Sequence, residues 1–502
     1  MRRWRIVFAF LCLVLLSGSA SAANIEERVV EHRLANGLTV LLLERHRAPI
    51  IAVNLTFKVG GVQEHNGITG VAHLYEHMAF KGTKTIGVTD AEKEKSVLDE
   101  LDRIAEAIAA ESTKGPAADQ ARLSALRKQF AETEAQANRF VIPSEMASLY
   151  QRHGGVGLNA TTGKDMTRYF LSFPANRLPL WAAVESDRMA NAVLREFYKE
   201  KNVVLEERRQ RTDNSPFGRL HEAFAVAAFQ AHPYGLPVIG WPSDLETLSR
   251  TQTEAFFQLY YGPANAVLAI VGDINAKETI ALVETTFGRL PARPPSPPVQ
   301  TKEPPQAGER RVEVEYPAEP SVLIGYHKPA TDRPDDVVFD VIEALLSEGR
   351  TSRLFRRLIQ ERQVAVGVSA TSDYPGTLYP NLFVLGGTPR APHTAAEVEQ
   401  AIYEELDRLK REPVTPRELE KILNQVDAAL VRSLRSNGGM ASRLAYSQVI
   451  NGNWRETFQR RDRIAKVTPD DIRRVAAQYF VKSNRTVATL VKPPKAEAET
   501  KP

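Results

Sequence analysis

Seven prolines fall within residues 291–305, in a stretch (PARPPSPPVQTKEPP) nearly devoid of large apolar side chains. Such a run cannot pack into a core and reads as a polyproline-like, semi-rigid connector. It divides the chain into two bodies, as a length of 502 residues already favours. The two halves echo each other near their ends. Thr251 to Ala255 (TQTEA) leads to Tyr260-Tyr261-Gly262-Pro263-Ala264-Asn265 and the apolar run 266–271, while Thr468 to Ile472 (TPDDI) leads to Tyr479-Phe480-Val481-Lys482-Ser483-Asn484 and Arg485–Val491. Each reads as a capped helix, a turn and a strand, in the same order and at a similar distance from the start of its half, which predicts an internal duplication.

Strands are predicted at 38–43, 50–59, 166–173 and 266–271 in the first half, and at 311–316, 322–326, 365–372 and 382–387 in the second. Helical patterns lie between them, so each half is expected to be α+β with a mainly antiparallel sheet rather than a Rossmann-like alternation. No glycine-rich phosphate loop opens a helix, and nucleotide chemistry finds no support. Residues 91–148 stand apart. Val97, Leu98, Leu101, Ile104 and Ile108 form one apolar stripe and Leu123, Leu126 and Phe130 another, with Lys114-Gly115-Pro116 between them. This spacing predicts a helical hairpin, read as a structural insertion packed on the domain surface in preference to a partner-binding arm.

Residues 1–22 have the pattern of a secretory signal, with Arg2, Arg3 and Arg5, an apolar stretch over 6–16 and Ala20-Ser21-Ala22 as the cleavage site. The single cysteine, Cys12, would leave with it, so the mature chain would have neither disulfide nor thiol chemistry. Removing the three leader arginines lowers the formal charge of +4 to +1, which argues against a nucleic-acid partner. No other run approaches the roughly 20 apolar residues of a membrane span. The sequence thus divides into a signal (1–22), a first domain (23–290) carrying the 91–148 insertion, a linker (291–309), a second domain (310–492) and a Pro-, Lys- and Glu-rich tail (493–502) expected to be disordered.

In the segment Gly70-Val71-Ala72-His73-Leu74-Tyr75-Glu76-His77-Met78, a helix would project His73 and His77 from one face, a spacing suited to two imidazoles on one zinc. Glu76 would then lie close enough to bond a water at the metal without being a ligand. A catalytic zinc takes three protein ligands and keeps one position open. Candidates for the third lie in Glu200-Lys201-Asn202-Val203-Val204-Leu205-Glu206-Glu207. Glu200 and Glu207, nearly two turns apart, share a face, while Glu206 is turned by about 100° from Glu207, so one of the adjacent pair can align with Glu200.

With these residues in view, the chain resembles the pitrilysin/insulinase family of zinc metallopeptidases, which carries the inverted H-x-x-E-H motif. The likeness extends to Met78-Ala79-Phe80-Lys81-Gly82-Thr83, Gly157-Leu158-Asn159-Ala160, Asp213-Asn214-Ser215-Pro216, His232-Pro233-Tyr234-Gly235, Val271-Gly272-Asp273 and, in the second half, Ser352-Arg353-Leu354-Phe355. It implies two homologous domains of the LuxS/processing-peptidase kind, the second without metal, and a bacterial two-domain member. It also implies one Zn2+ per chain held by His73, His77 and Glu207, with Glu200 as a supporting acid and Glu76 as the general base. Gly157, Leu158, Asn159 and Ala160 are implied to form a strand edge to which an extended peptide adds by main-chain hydrogen bonds.

There are two departures from the family pattern. The gap between His77 and Glu207 is longer than usual, by the length of the 91–148 insertion. The second is chemical. Active members or their partner subunits carry an Arg and a Tyr seven apart that hold substrate, where this chain has Ile359 and Val366; Arg362 is out of register. The resemblance therefore implies a periplasmic zinc endopeptidase acting on peptides or unfolded polypeptides, paired with a homologous subunit that supplies the Arg/Tyr pair, or a homodimer using other donors. The alternative is a non-catalytic scaffold or chaperone-like member of the same fold.

Overall fold

A computed structural model describes residues 25–493. The expected leader, 1–22, and all of the expected tail beyond Pro493 lie outside the described residues. The chain forms two compact units, neither continuous in sequence. The first takes the chain up to Glu206 with 237–299 and 431–457; the second takes 207–236, 300–430 and the chain from Phe458. Each half therefore gives a segment to the other unit. Among the described residues no helix is long and apolar enough to cross a membrane.

The first unit is built on a six-stranded sheet of β1 (Val30–Arg33), β2 (Thr39–Glu44), β3 (Ile50–Phe57), β4 (Val156–Thr162), β5 (Thr167–Pro174) and β6 (Ala266–Gly272), in the order β1-β2-β6-β3-β5-β4. All neighbours are antiparallel except β2 and β6. Every residue of β6, and all but the first of β3, is buried, because both faces of these central strands are covered. One cover is the helix Asn437–Asn451, from the exchanged segment, whose Ser442 hydroxyl takes a 3.1 Å hydrogen bond from the buried Asn54 of β3.

Four further helices concern the site. These are α1 (Val71–Met78), α2 (Ala91–Ser112), α3 (Gln120–Ala137) and α4 (Phe197–Arg208). The helices α2 and α3 are the two arms of the hairpin expected over 91–148, and a further helix, Glu145–Arg152, begins before that stretch ends. Asp90 caps α2 by accepting from the Lys93 amide, and Asp119 caps α3 by accepting from the Ala121 and Arg122 amides. Leu98, Leu101, Ile104 and Leu123 are buried along the seam, and Phe130 meets Tyr198 of α4 edge-on at 5.0 Å. Polar ties fix the hairpin as well. Asp102 accepts from the Tyr198 hydroxyl and the Arg250 guanidinium at 2.9 Å each, and Glu94 pairs with the buried Arg195.

The second unit repeats the pattern in five strands: β7 (Arg310–Glu315), β8 (Ser321–Lys328), β9 (Ala365–Tyr374), β10 (Asn381–Pro389) and β11 (Arg485–Val491), in the order β7-β11-β8-β10-β9. Here β7 and β11 are the parallel pair, so the arrangement matches β2-β6-β3-β5-β4 strand for strand, as the duplication predicts. The helix Pro216–Ala228, from the first half of the sequence, packs on β7 and β11. Its Phe224 is fully buried against Gly325 of β8, where an added Cβ would stand 2.5 Å from the ring.

Candidate metal centre

The helix α1 is amphipathic in a restricted way: Val71, Leu74, Tyr75 and Met78 enter the core, and Tyr75 stacks on Phe257 at 4.7 Å. No side chain of its N-cap residue, Gly70, holds the helix start. Its capping acceptor is Glu64, 2% exposed, whose two carboxylate oxygens each accept a 2.8 Å bond, one from the Gly70 amide and one from the Ala72 amide. Burial pushes the Glu64 carboxyl above its ordinary range, against the pull of those two amides.

On the other face, His73 is buried and His77 half-buried, with ring centroids 4.8 Å apart and planes crossed at 76°. The helix α4 brings Glu207 to the same place. Ligand atoms of His73, His77 and Glu207 all lie within 4.8 Å of one another. Among the described residues this is the group of metal-ligating side chains so gathered. The adjacent Glu206 is exposed and is not one of the three residues so gathered. The end of α4 is secured by Arg208, whose guanidinium binds Glu222 at 2.7 and 2.9 Å, and the helix then widens into a π-helical turn over Arg209–Asp213. Arg211, one turn beyond Glu207, meets its carboxylate at 2.5 Å.

Glu200, also on α4, accepts from Nδ1 of His77 at 2.9 Å and from Nζ of Lys81 at 2.7 Å. Burial would raise its carboxyl, but the bonds from His77 and Lys81 prevail and hold it down to about 2. With Nδ1 so engaged, His77 is oriented with Nε2 as the remaining nitrogen for a metal. Two imidazoles and a carboxylate are a borderline donor set that fits zinc. Glu76, between the histidines in sequence, takes a 2.6 Å bond at Oε2 from the Thr162 hydroxyl. Lys81 and Thr162 were not singled out in the sequence as parts of the site. Lys81 stands in the Lys-Gly-Thr run that follows the histidines, whereas nothing in local spacing marks Thr162.

Residues 157–160 lie on β4, the edge strand of the first sheet. Gly157 has φ +67° and sits at a bulge, where Gly157 and Leu158 oppose a single residue of β5. In the second unit, Ile359 is half-buried in the π-helical turn Phe355–Glu361, Val366 is 57% exposed on β9, and Arg362 pairs with Glu404 at 2.6 Å. Neither Ile359 nor Val366 carries a donor. The helix Asp336–Ser347 follows β8 as α1 follows β3, and it has Asp340, Glu343 and Ala344 at the spacing of His73, Glu76 and His77. Asp340 is there held by Arg460 at 2.7 Å.

Two family models match the sequence: insulinase (peptidase family M16) over residues 39–96 and the peptidase M16 inactive domain over 247–426. A zinc protease of Helicobacter pylori named PqqE is 29% identical over 494 residues, covering 96% of each chain. Among solved structures, a protease from Helicobacter pylori superimposes with a TM-score of 0.77 at 27% identity, over 93% of this chain and 99% of that one. The first half of the periplasmic protease PqqL from Escherichia coli shares the fold, with a TM-score of 0.67 at 19% identity over 93% and 92% of the two chains.

Proposed function

The chain belongs to the pitrilysin/insulinase family, and on that premise we propose that it is a zinc-dependent endopeptidase hydrolysing peptides or unfolded polypeptides. The observation that carries the reading is the convergence of His73, His77 and Glu207 from two helices beside Glu76. We assign the three as ligands to one Zn2+ and Glu200 as the acid that orients His77. Bound there, zinc would acidify a water and polarise the scissile carbonyl. Glu76 takes the proton of the attacking water and delivers it to the leaving amine nitrogen as the C–N bond breaks. The edge of β4 at Gly157, Leu158, Asn159 and Ala160 receives the substrate as an added strand, which selects extended shape over side-chain identity.

The same reading takes 1–22 as a cleaved signal and the periplasm as the location, in keeping with the periplasmic PqqL neighbour. It takes 23–290 as the catalytic domain, 291–309 as linker and 310–492 as a domain without metal. Because Ile359 and Val366 offer no hydrogen bond to substrate, a homologous partner supplies that Arg/Tyr pair, or a second copy supplies other donors. The test is hydrolysis of a quenched-fluorescent peptide library by the zinc-loaded chain, with and without a homologous partner. Glu76→Gln is expected to keep the metal and abolish turnover. Undiminished hydrolysis by Glu76→Gln would refute its role as base, and bound zinc without turnover under either condition would favour the scaffold reading.

A further inference from the structure

Resting on the reading of Glu76 as base, we propose that Thr162 is the positioning residue that aims it, so that the strand receiving the substrate also holds the base. Thr162 is the last residue of β4, and its Oγ1 lies 2.6 Å from Glu76 Oε2. An ionised carboxylate only accepts, so the single hydroxyl proton lies on this bond, which is charge-assisted and correspondingly strong. The threonine is itself backed from the core. Thr167, its partner in the β4–β5 register, is fully buried; its hydroxyl lies 3.4 Å from that of Thr162, donates to the Val59 carbonyl at 2.9 Å and is approached by the buried Tyr261 hydroxyl at 3.3 Å.

The bond fixes one carboxylate oxygen of the half-buried Glu76 in direction as well as distance, which narrows the rotamers open to a side chain with three rotatable bonds. Alternation along the strand puts Thr162 on the same face as Ala160, toward α1, and β4 is the edge strand of its sheet, where the Ala160 amide donates to Asn159 Oδ1 at 2.9 Å. The strand proposed to receive the peptide therefore also carries the hydroxyl that holds Glu76. Positioning of this kind acts on the chemical step rather than on affinity.

The experiment compares wild type, Thr162→Val, Thr162→Ala and Thr162→Ser as zinc-loaded full chains, measuring zinc content, kcat, KM and the Glu76 conformation in crystal structures. Valine keeps the β-branched shape, and alanine serves if valine disturbs folding. The expected result is one zinc per chain throughout, kcat down at least about tenfold in the valine and alanine variants at unchanged KM, serine within about twofold of wild type, and Glu76 displaced wherever the hydroxyl is gone. A kcat within twofold of wild type for Thr162→Val, or an unmoved Glu76 carboxylate, would overturn the proposal. If wild type hydrolyses no peptide either alone or with the homologous partner, the peptidase reading fails, and the Glu76 conformation in the variant crystals still decides whether Thr162 holds it.

Discussion

Replacing Arg195 by methionine should uncouple the helical insertion from the loop that follows the metal helix. The Arg195 guanidinium, 1% exposed, donates to both oxygens of Glu94 at 2.8 and 3.1 Å, to the Lys81 and Thr83 carbonyls at 2.6 Å each, and to the Ile86 carbonyl at 3.1 Å. Methionine keeps much of the stem's packing and none of the donors. It leaves Glu94, 2% exposed, without its counter-charge. Removing one partner of a buried ion pair costs about 3–5 kcal/mol, and the orphaned carbonyls add to this. About 4 kcal/mol is therefore expected, a fall in Tm of about 7 °C for a unit of this size. Trp181 and Trp454, both buried in the first unit, make urea unfolding followed by tryptophan fluorescence the suitable assay. The double variant Arg195→Met/Glu94→Leu removes both charges and should recover about 2 kcal/mol of the summed single losses. An Arg195→Met variant within about 1 kcal/mol of wild type, or a strictly additive double variant, would refute the reasoning.

In the second unit, burial opposes ionisation of Glu418, but the Arg353 guanidinium at 2.8 and 3.0 Å and Thr415 hold its carboxyl down from 4.5 to about 2. A depressed carboxyl stabilises fully above the unfolded value and loses that contribution on acidification, so Glu418→Gln, with solvent screening this partly exposed pair, should cost about 1 kcal/mol at pH 7 and little near pH 2.5; a pH-independent difference in denaturant melts would contradict this. At the metal centre, Glu207→Gln should abolish stoichiometric zinc binding, whereas Glu200→Gln should weaken it about 10- to 100-fold by releasing His77; competition titration against a chelator separates the two, and equal losses would count against a supporting role for Glu200. Stripping zinc from wild type should lower Tm by an amount that grows with the zinc concentration of the reference sample, and an unchanged Tm would argue against a site formed only in the fold.

Much of this architecture is readable along the sequence, for local reasons. Continuous apolar runs such as those of β3 and β6 announce strands buried on both faces, and the i, i+4 histidines announce one helical face. The two apolar stripes of the hairpin fall on helices that Asp90 and Asp119 cap at their starts. What escaped depends on distant partners. The strand β1 is four largely exposed residues and has no alternation to detect. Spacing on one helix cannot choose between Glu206 and Glu207, and only the family resemblance points to Glu207. Thr162 belongs to the site only because β4 ends beside Glu76, 86 residues away in sequence. The exchange of 207–236 and 431–457 leaves no local mark either, since nothing in the pattern of a single helix says which sheet it covers.

That exchange constrains the order in which the protein can be completed during synthesis. The helix covering β3 and β6 ends at Asn451, so the central strands of the first sheet wait, with one apolar face uncovered, while the linker and most of the second half are translated. At about 5–20 residues per second this exposure lasts on the order of ten seconds or more. The connector is therefore a poor place to cut the chain: a fragment ending there lacks the cover of its own sheet and carries a helix whose sheet is missing. Such a fragment is expected to be aggregation-prone, and the nascent chain to need shielding until residues 431–457 emerge.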